Sequence, residues 1–270
     1  MLRLKKLKVD VAEKGVGKFS EYSGNAIRGA VGRALTRLFC VRGEPLCERG
    51  YCPRVNGCVY STCFKPEAAF PRYCGSPPSP FVVEPFENGG RSFNITLFGY
   101  AVERADEFAA AAKTITRLNG AAVEVCAVSQ VYDSVWRYGG TPSVSAVELD
   151  FVTPALFSKD NFTAEDMTFP FFMDNLLARI SGIIDCFEDD PFSIEYGLVC
   201  RKPFIRTETD MQEVTIRQRG FDTGGFVGRT RFFGDLAPYM PYIDLGAQVH
   251  IGKKSTRGFG KYDLKFLWES

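Results

Sequence analysis

Apolar and polar positions alternate near the start of the chain, with Leu2, Leu4, Leu7 and Val9 apolar and Lys5, Lys6 and Lys8 interleaved. That two-residue period predicts a half-buried strand over Leu2–Val11. The period then lengthens. Ile27, Val31, Leu35 and Leu38 recur at helical spacing and predict a helix over Asn25–Cys40, started by Ser23 or Asn25 as cap. Arg28, Arg33 and Arg37 fall on its other faces. Residues 41–80, rich in Cys, Pro and Gly, read as irregular. Strands are predicted over 81–86 and 91–102, joined by a hairpin at Asn88-Gly89-Gly90. A helix from Ala105 to Leu118 follows. Asp106 and Glu107 suit its start, Lys113 and Arg117 its end, and Asn119-Gly120 its stop. A strand over Ala121–Tyr132 closes the series.

The order β-α-β-β-α-β is the ferredoxin-like unit, and after a linker at residues 137–143 it repeats. Val144–Val152 alternates as a strand. Phe169–Phe187 is a helix, with Leu176, Leu177, Ile180, Ile183, Ile184 and Phe187 on its buried side. Glu213–Arg219 and Phe226–Phe233 read as hairpin strands around Gly224-Gly225, and Asp235–Ile243 as a short helical piece. Tyr262–Trp268 alternates again as the last strand. The expected fold is α+β: two tandem ferredoxin-like domains of the βαββαβ type also used by RNA-recognition modules. They span residues 1–136 and 144–270, with a Cys-rich insertion at residues 40–80 of the first.

A chain of 270 residues with 45% apolar and 24% charged residues supplies two ordinary cores. Its net charge of +1 argues against a uniformly basic coat and leaves room for a local basic face. The first residues, MLRLKKLKVDV, lack the apolar core of a secretion signal. No run approaches the roughly 20 apolar residues of a membrane-spanning helix, so the expected location is the cytoplasm, with no membrane partner.

Six of the nine cysteines, Cys40, Cys47, Cys52, Cys58, Cys63 and Cys74, crowd one segment. An odd total without a secretion signal argues against a disulfide framework. A structural zinc on Cys40, Cys47, Cys52 and Cys58 is one reading, an iron–sulfur cluster a second, and a set of free thiols a third. The intervening lengths of 6, 4, 5, 4 and 10 residues contain no tight C-x₂-C pair. Cys126, Cys186 and Cys200 read as core.

The segment from His250 to Tyr262, HIGKKSTRGFGKY, carries the most chemistry. Gly252, Gly258 and Gly260 let the backbone bend sharply, and amides exposed in such a bend hold phosphate oxygens. Lys253, Lys254, Arg257 and Lys261 place four cations in nine residues, with the hydroxyls of Ser255 and Thr256 among them. The spacing differs from a nucleotide-binding P-loop, and the glycines lead into a strand rather than a helix. The residues therefore read either as a cradle for a phosphate backbone or as a solvated basic loop.

HIGKKSTRGFGKYDL also resembles the C-terminal glycine-rich signature of the CRISPR precursor-RNA-processing endoribonucleases, the CRISPR-associated protein six family of the RAMP superfamily. Three stretches agree in order: Ser23-Gly24-Asn25-Ala26-Ile27-Arg28-Gly29-Ala30-Val31-Gly32-Arg33-Ala34-Leu35, Gly224-Gly225-Phe226-Val227-Gly228, and Gly234-Asp235-Leu236-Ala237-Pro238. The spaced cysteines ending in Cys58-Val59-Tyr60 resemble one branch. The resemblance implies tandem ferredoxin-like domains, binding of CRISPR repeat RNA in antiviral defence, and cleavage by the ribose 2′-OH without a metal. It leaves a 2′,3′-cyclic phosphate and a 5′-OH. A monomer or homodimer, alone or beside other CRISPR-associated subunits, is compatible with it.

That chemistry needs a base, an acid and positive charge on the phosphorane. Many family members carry a histidine near the first helix; this chain has none there, and its single histidine is His250. The catalytic candidates are His250, Tyr22 and Lys253. The RNA-binding candidates are Arg28, Gly252, Lys254, Ser255, Thr256, Arg257, Gly258, Gly260 and Lys261. His250 reads first as support for the loop. Tyr22 has an ordinary pKa of about 10 and more often packs or stacks than donates a proton. The missing histidine favours a second reading, a RAMP-type subunit that holds guide RNA without cutting it.

Overall fold

The computed structural model describes residues 1–14, 22–41, 52–54, 57–69, 77–86, 90–139, 144–157, 162–187, 204–218 and 221–267. Contacts divide the chain into one unit of Met1–Trp136 with Gly182–Asp190 and a second of Arg137–Ser181 with Pro191–Ser270.

In the first unit, β1 (Leu2–Glu13) is the spine of an antiparallel sheet with β2 (Phe81–Glu84), β3 (Ser92–Phe98), β4 (Arg117–Leu118) and β5 (Ala121–Trp136), in the order β2-β3-β1-β5-β4. Leu7 faces Ile95 on one side and Gln130 on the other. The helix α1 (Gly24–Phe39) buries Ile27, Val31 and Leu35 of the predicted stripe completely, whereas Leu38, its fourth residue, is exposed in the last turn. Ser23 stands at its N-cap, where its carbonyl accepts from the Ile27 amide at 3.0 Å but its side chain does not cap the helix; its Oγ accepts from the Phe86 amide at 3.2 Å.

The cysteine-bearing segment forms two short helices where an irregular stretch is expected, α2 (Val59–Phe64) and α3 (Pro66–Ala69). Phe64 is their anchor, with its ring 4.7 Å from Phe81. A Cβ at Gly32 would lie 2.9 Å from that ring, so the glycine on α1 is what lets α2 approach. The helix α4 (Ala105–Lys113) ends five residues before its predicted stop. Asn119 and Gly120, read as a helix stop, are the two positive-φ residues (51° and 86°) of the β4–β5 hairpin. The strand expected to reach residue 102 gives way to a 3₁₀ turn at Gly99–Arg104. The expected hairpin residues Asn88 and Gly89 lie outside the described residues.

The second unit repeats the order. β6 (Ala146–Ala155), β7 (Arg206–Gln218), β8 (Phe221–Phe233) and β9 (Asp263–Phe266) form a sheet ordered β7-β8-β6-β9. Helices α5 (Phe169–Phe187), which belongs to this unit as far as Ser181, and α6 (Met240–Val249) are the two helical elements of the repeat. Phe172 of α5 packs on Phe232 and Tyr262, with ring centroids 5.3 and 5.9 Å apart. Gly224 and Gly225 lie within β8 and not at its turn. A Cβ at Gly225 would lie 2.8 Å from Pro154, because β8 passes close to the irregular end of β6. On the sheet, Glu148 accepts from Arg231 at 2.8 Å and Lys265 at 3.4 Å, its cross-strand partners on β8 and β9. Both units thus have the ferredoxin-like βαββαβ plan, and among the described residues no helix is long and apolar enough to cross a membrane.

Candidate nucleic-acid interface

The glycine-rich loop hangs between α6 and β9 and is folded on itself. The Ile251 amide donates to the Gly260 carbonyl at 3.0 Å, closing its neck. Lys253 N donates to Leu156 O at 2.8 Å and Gly260 N to Pro154 O at 2.9 Å, tying the loop to the segment around the end of β6. Lys261 N donates to Thr153 Oγ1 at 2.8 Å. A 3₁₀ turn, Ser255–Arg257, is closed by Arg257 N to Lys254 O and Gly258 N to Ser255 O. These bonds satisfy six backbone amides internally. The positive φ of Gly252 (76°), Gly258 (87°) and Gly260 (72°) therefore serves the fold of the loop. A Cβ on Gly252 would lie 2.3 Å from Leu156 O, and one on Gly260 1.9 Å from Ile251 O.

The side chains sort accordingly. Lys253, Lys254 and Arg257 are exposed, Gly252, Thr256 and Lys261 half-buried, and Ser255, Gly258 and Gly260 buried. Lys254 has left-handed backbone (φ 59°); its Nζ donates to Thr223 Oγ1 on β8 at 3.0 Å and lies 6.0 Å from the Phe259 ring. Its pKa is lowered, first by burial and then by the neighbouring Arg257. The loop thus holds three cations toward solvent on a backbone whose hydrogen bonds are largely made.

His250 is fully buried. Its Nδ1 lies 3.2 Å from the Phe259 carbonyl, which only accepts, so this bond requires the proton on Nδ1. Its backbone, at φ 60° and ψ 166°, is in a region ordinarily left to glycine. Arg179 of α5 explains why that conformation persists. Its Nε donates to both Val249 O and His250 O at 2.9 Å, covering the carbonyl end of α6 where a cation is favoured. Burial pulls the Arg179 pKa down to about 10. Arg179 went unread in the sequence; its one signal is that it is the sole basic residue of α5.

Tyr22 and Arg28 belong to the first unit and the glycine-rich loop to the second. Tyr22 is half-buried just ahead of α1, and the Arg28 guanidinium lies 4.9 Å from the Phe64 ring centroid. Of the proposed sulfur ligands, Cys40 follows α1 and Cys58 precedes α2; both are half-buried, as is Cys52. Cys47 lies outside the described residues. Among the described residues no three His, Cys, Asp or Glu side chains converge as a metal site. Cys63 is buried beside Thr62 and Tyr100, and burial pushes its thiol up to about 12.

Two family models match the sequence. Residues 2–137, half of the chain, match the AF_1859_N model, described as an N-terminal domain. Residues 149–262 match the model described as CRISPR-associated endoribonuclease Cas6. No curated protein matches. Among solved structures, Thermus thermophilus Cas6 (TTHB231) superposes with a TM-score of 0.61 at 13% identity, over 98% of this chain and 99% of that one. A Cas6 (TTHA0078) product complex gives 0.63 at 17% identity, over 97% and 99%. A protein titled as a RAMP protein binding different RNA substrates gives 0.55 at 10% identity, over 97% and 99%. At these identities the likeness is one of fold.

Proposed function

Because the chain belongs to the Cas6/RAMP-type CRISPR proteins, we propose that it binds CRISPR repeat RNA and cleaves the precursor within the repeat. The observation that carries this reading is the display of Lys253, Lys254 and Arg257 on a loop held by backbone hydrogen bonds to itself and to the end of β6. In the proposed reaction the ribose 2′-oxygen bonds to the adjacent phosphorus as the bond to the 5′-oxygen breaks. A base takes the 2′-OH proton and an acid protonates the departing oxygen. The products are a 2′,3′-cyclic phosphate and a 5′-OH, and no metal enters the step. Lys253, Lys254 and Arg257 supply positive charge to the phosphate. Tyr22 and Lys253 are the candidates for the proton-handling positions. His250, buried under the loop, acts through the shape of the loop. The setting is the cytoplasm.

One observation favours a second reading, a guide-RNA-binding subunit that does not cut: the sole histidine is fully buried, and the first helix has none. Incubating the purified chain with end-labelled repeat RNA in EDTA separates the two. Cleavage with cyclic-phosphate ends is expected, a shifted but intact band would support the second reading, and no binding would overturn both.

A further inference from the structure

The lysines of the glycine-rich loop are alike in charge but not in how they are held, and the difference originates on β8. The Lys254 ammonium donates to Thr223 Oγ1 at 3.0 Å and stands 6.0 Å from the Phe259 ring. The Lys253 side chain makes no hydrogen bond or ion pair among the described residues. Thr223 is itself buried, opposite Ile216 near the turn end of the β7–β8 ladder. A buried hydroxyl on one element thus meets an exposed lysine on another.

The backbone fixes both ends of this bond. Two residues past Thr223, β8 passes Gly225, where a Cβ would lie 2.8 Å from Pro154 and 3.2 Å from Ala155 O. Just before Lys254, the Lys253 amide donates to Leu156 O at 2.8 Å, and a Cβ on Gly252 would lie 2.3 Å from that oxygen. Residues 154–156 are therefore a wall shared by β8 and the loop, and each meets it at a glycine that permits close approach. Lys254 leaves the wall in the left-handed region, at φ 59° and ψ 23°. A lysine keeps that backbone only where its surroundings hold it there.

The placement costs charge stability. The Lys254 pKa is lowered, first by burial and then by Arg257. A lysine with no tether would extend its ammonium into water. Held beside a second cation, it is relieved by an anion that both can face. An ammonium has three N–H donors and Thr223 takes one, so two remain for phosphate oxygens. Fixing a long side chain beforehand also removes rotamer entropy that binding would otherwise cost.

We propose that Thr223 is a positioning residue for RNA binding, whose hydroxyl sets the Lys254 ammonium to receive one backbone phosphate. Thr223 acts through Lys254 and does not itself touch the RNA. Lys253 contributes charge without a fixed direction. The inference rests on the RNA-binding part of the function proposed above and is independent of whether the chain cuts.

The test is a double-mutant cycle on the full chain, read as affinity for repeat RNA across a salt series. Thr223→Val keeps the shape and removes the hydroxyl. It is expected to weaken binding by roughly two- to tenfold, the scale of ordering one long side chain. The slope of log affinity against log salt should stay parental, because the cation is still present. Thr223→Ser is expected to restore parental affinity, and Thr223→Val is expected to have no further effect in a Lys254→Ala background. Parental affinity of Thr223→Val or of Lys254→Ala, failure of the serine to restore binding, or an equal loss from Thr223→Val in the Lys254→Ala background would overturn the positioning role. If one of these appears while the parent binds repeat RNA, the role of Thr223 alone fails. If the parent binds no RNA, the broader reading fails with it.

Discussion

Arg179 reaches from α5 to the carbonyl of His250, and the same Nε holds the carbonyl of Val249. One side chain therefore fixes both the end of α6 and the first residue of the glycine-rich loop. Arg179→Met keeps the stem and removes the donor. Hydrogen bonds from charged groups contribute about 1.5–3 kcal/mol, so chemical denaturation should show a loss of that size. RNA binding should fall with it, because the loop would lose its fixed starting point. A Met variant of parental stability would show that the guanidinium is not holding the turn.

The exposed cations give a salt signature. In the Lys253→Ala, Lys254→Ala, Arg257→Ala triple variant, each lost phosphate contact should reduce the slope of log affinity against log salt by roughly 0.7. His250→Ala is the contrast. A supporting role predicts that binding and cleavage decline together; normal binding with cleavage reduced by roughly 10²–10⁴-fold would instead place the imidazole in acid–base chemistry.

Glycine substitutions separate the constrained positions from the open ones. Gly260→Ala puts a Cβ 1.9 Å from Ile251 O at positive φ and should cost at least about 1–3 kcal/mol. Gly139→Ala meets nothing within 4 Å and should stay within about 0.5 kcal/mol of the parent. Thermal unfolding of the two variants side by side tests the pair.

Glu148 sets an acid limit. Burial alone would raise its pKa, but hydrogen bonds and charge from Arg231 and Lys265 outweigh that and hold it below its ordinary value of 4.5. A carboxyl whose folded pKa is depressed contributes its full stability above the unfolded value and loses it as pH falls through the folded one. Stability should therefore drop below about pH 4.5. Glu148→Gln should flatten that drop while costing about 1–2 kcal/mol at neutral pH, between the surface and buried ion-pair scales.

The duplicated βαββαβ order is legible in the sequence because the long elements have clean periods. Phe169–Phe187 is bounded as the apolar spacing predicts, and Leu2–Glu13 extends its prediction by two residues. Short elements are not legible in this way. Val59–Phe64 is too brief for a helical period, and the contact that fixes it, Phe64 against Gly32, joins residues far apart in sequence. Asn119-Gly120 stops a helix as readily as it turns a hairpin; tertiary pairing of Arg117 with Ala122 decides for the hairpin. Within the loop the cations are plain in the sequence, but the internal use of its amides is not. Three of those six bonds depend on Thr153, Pro154 and Leu156, about a hundred residues earlier.

The closed hydrogen bonding of Ile251–Lys261 has a thermodynamic consequence. A segment that folds only on its ligand must lose chain entropy at the moment of contact, with a large negative heat-capacity change. Here six of the loop's amides are held by the protein's own bonds, so association at the loop should be driven by ion release, with a small heat-capacity change from the loop itself. Its speed should then follow the electrostatic field and fall steeply as salt is added.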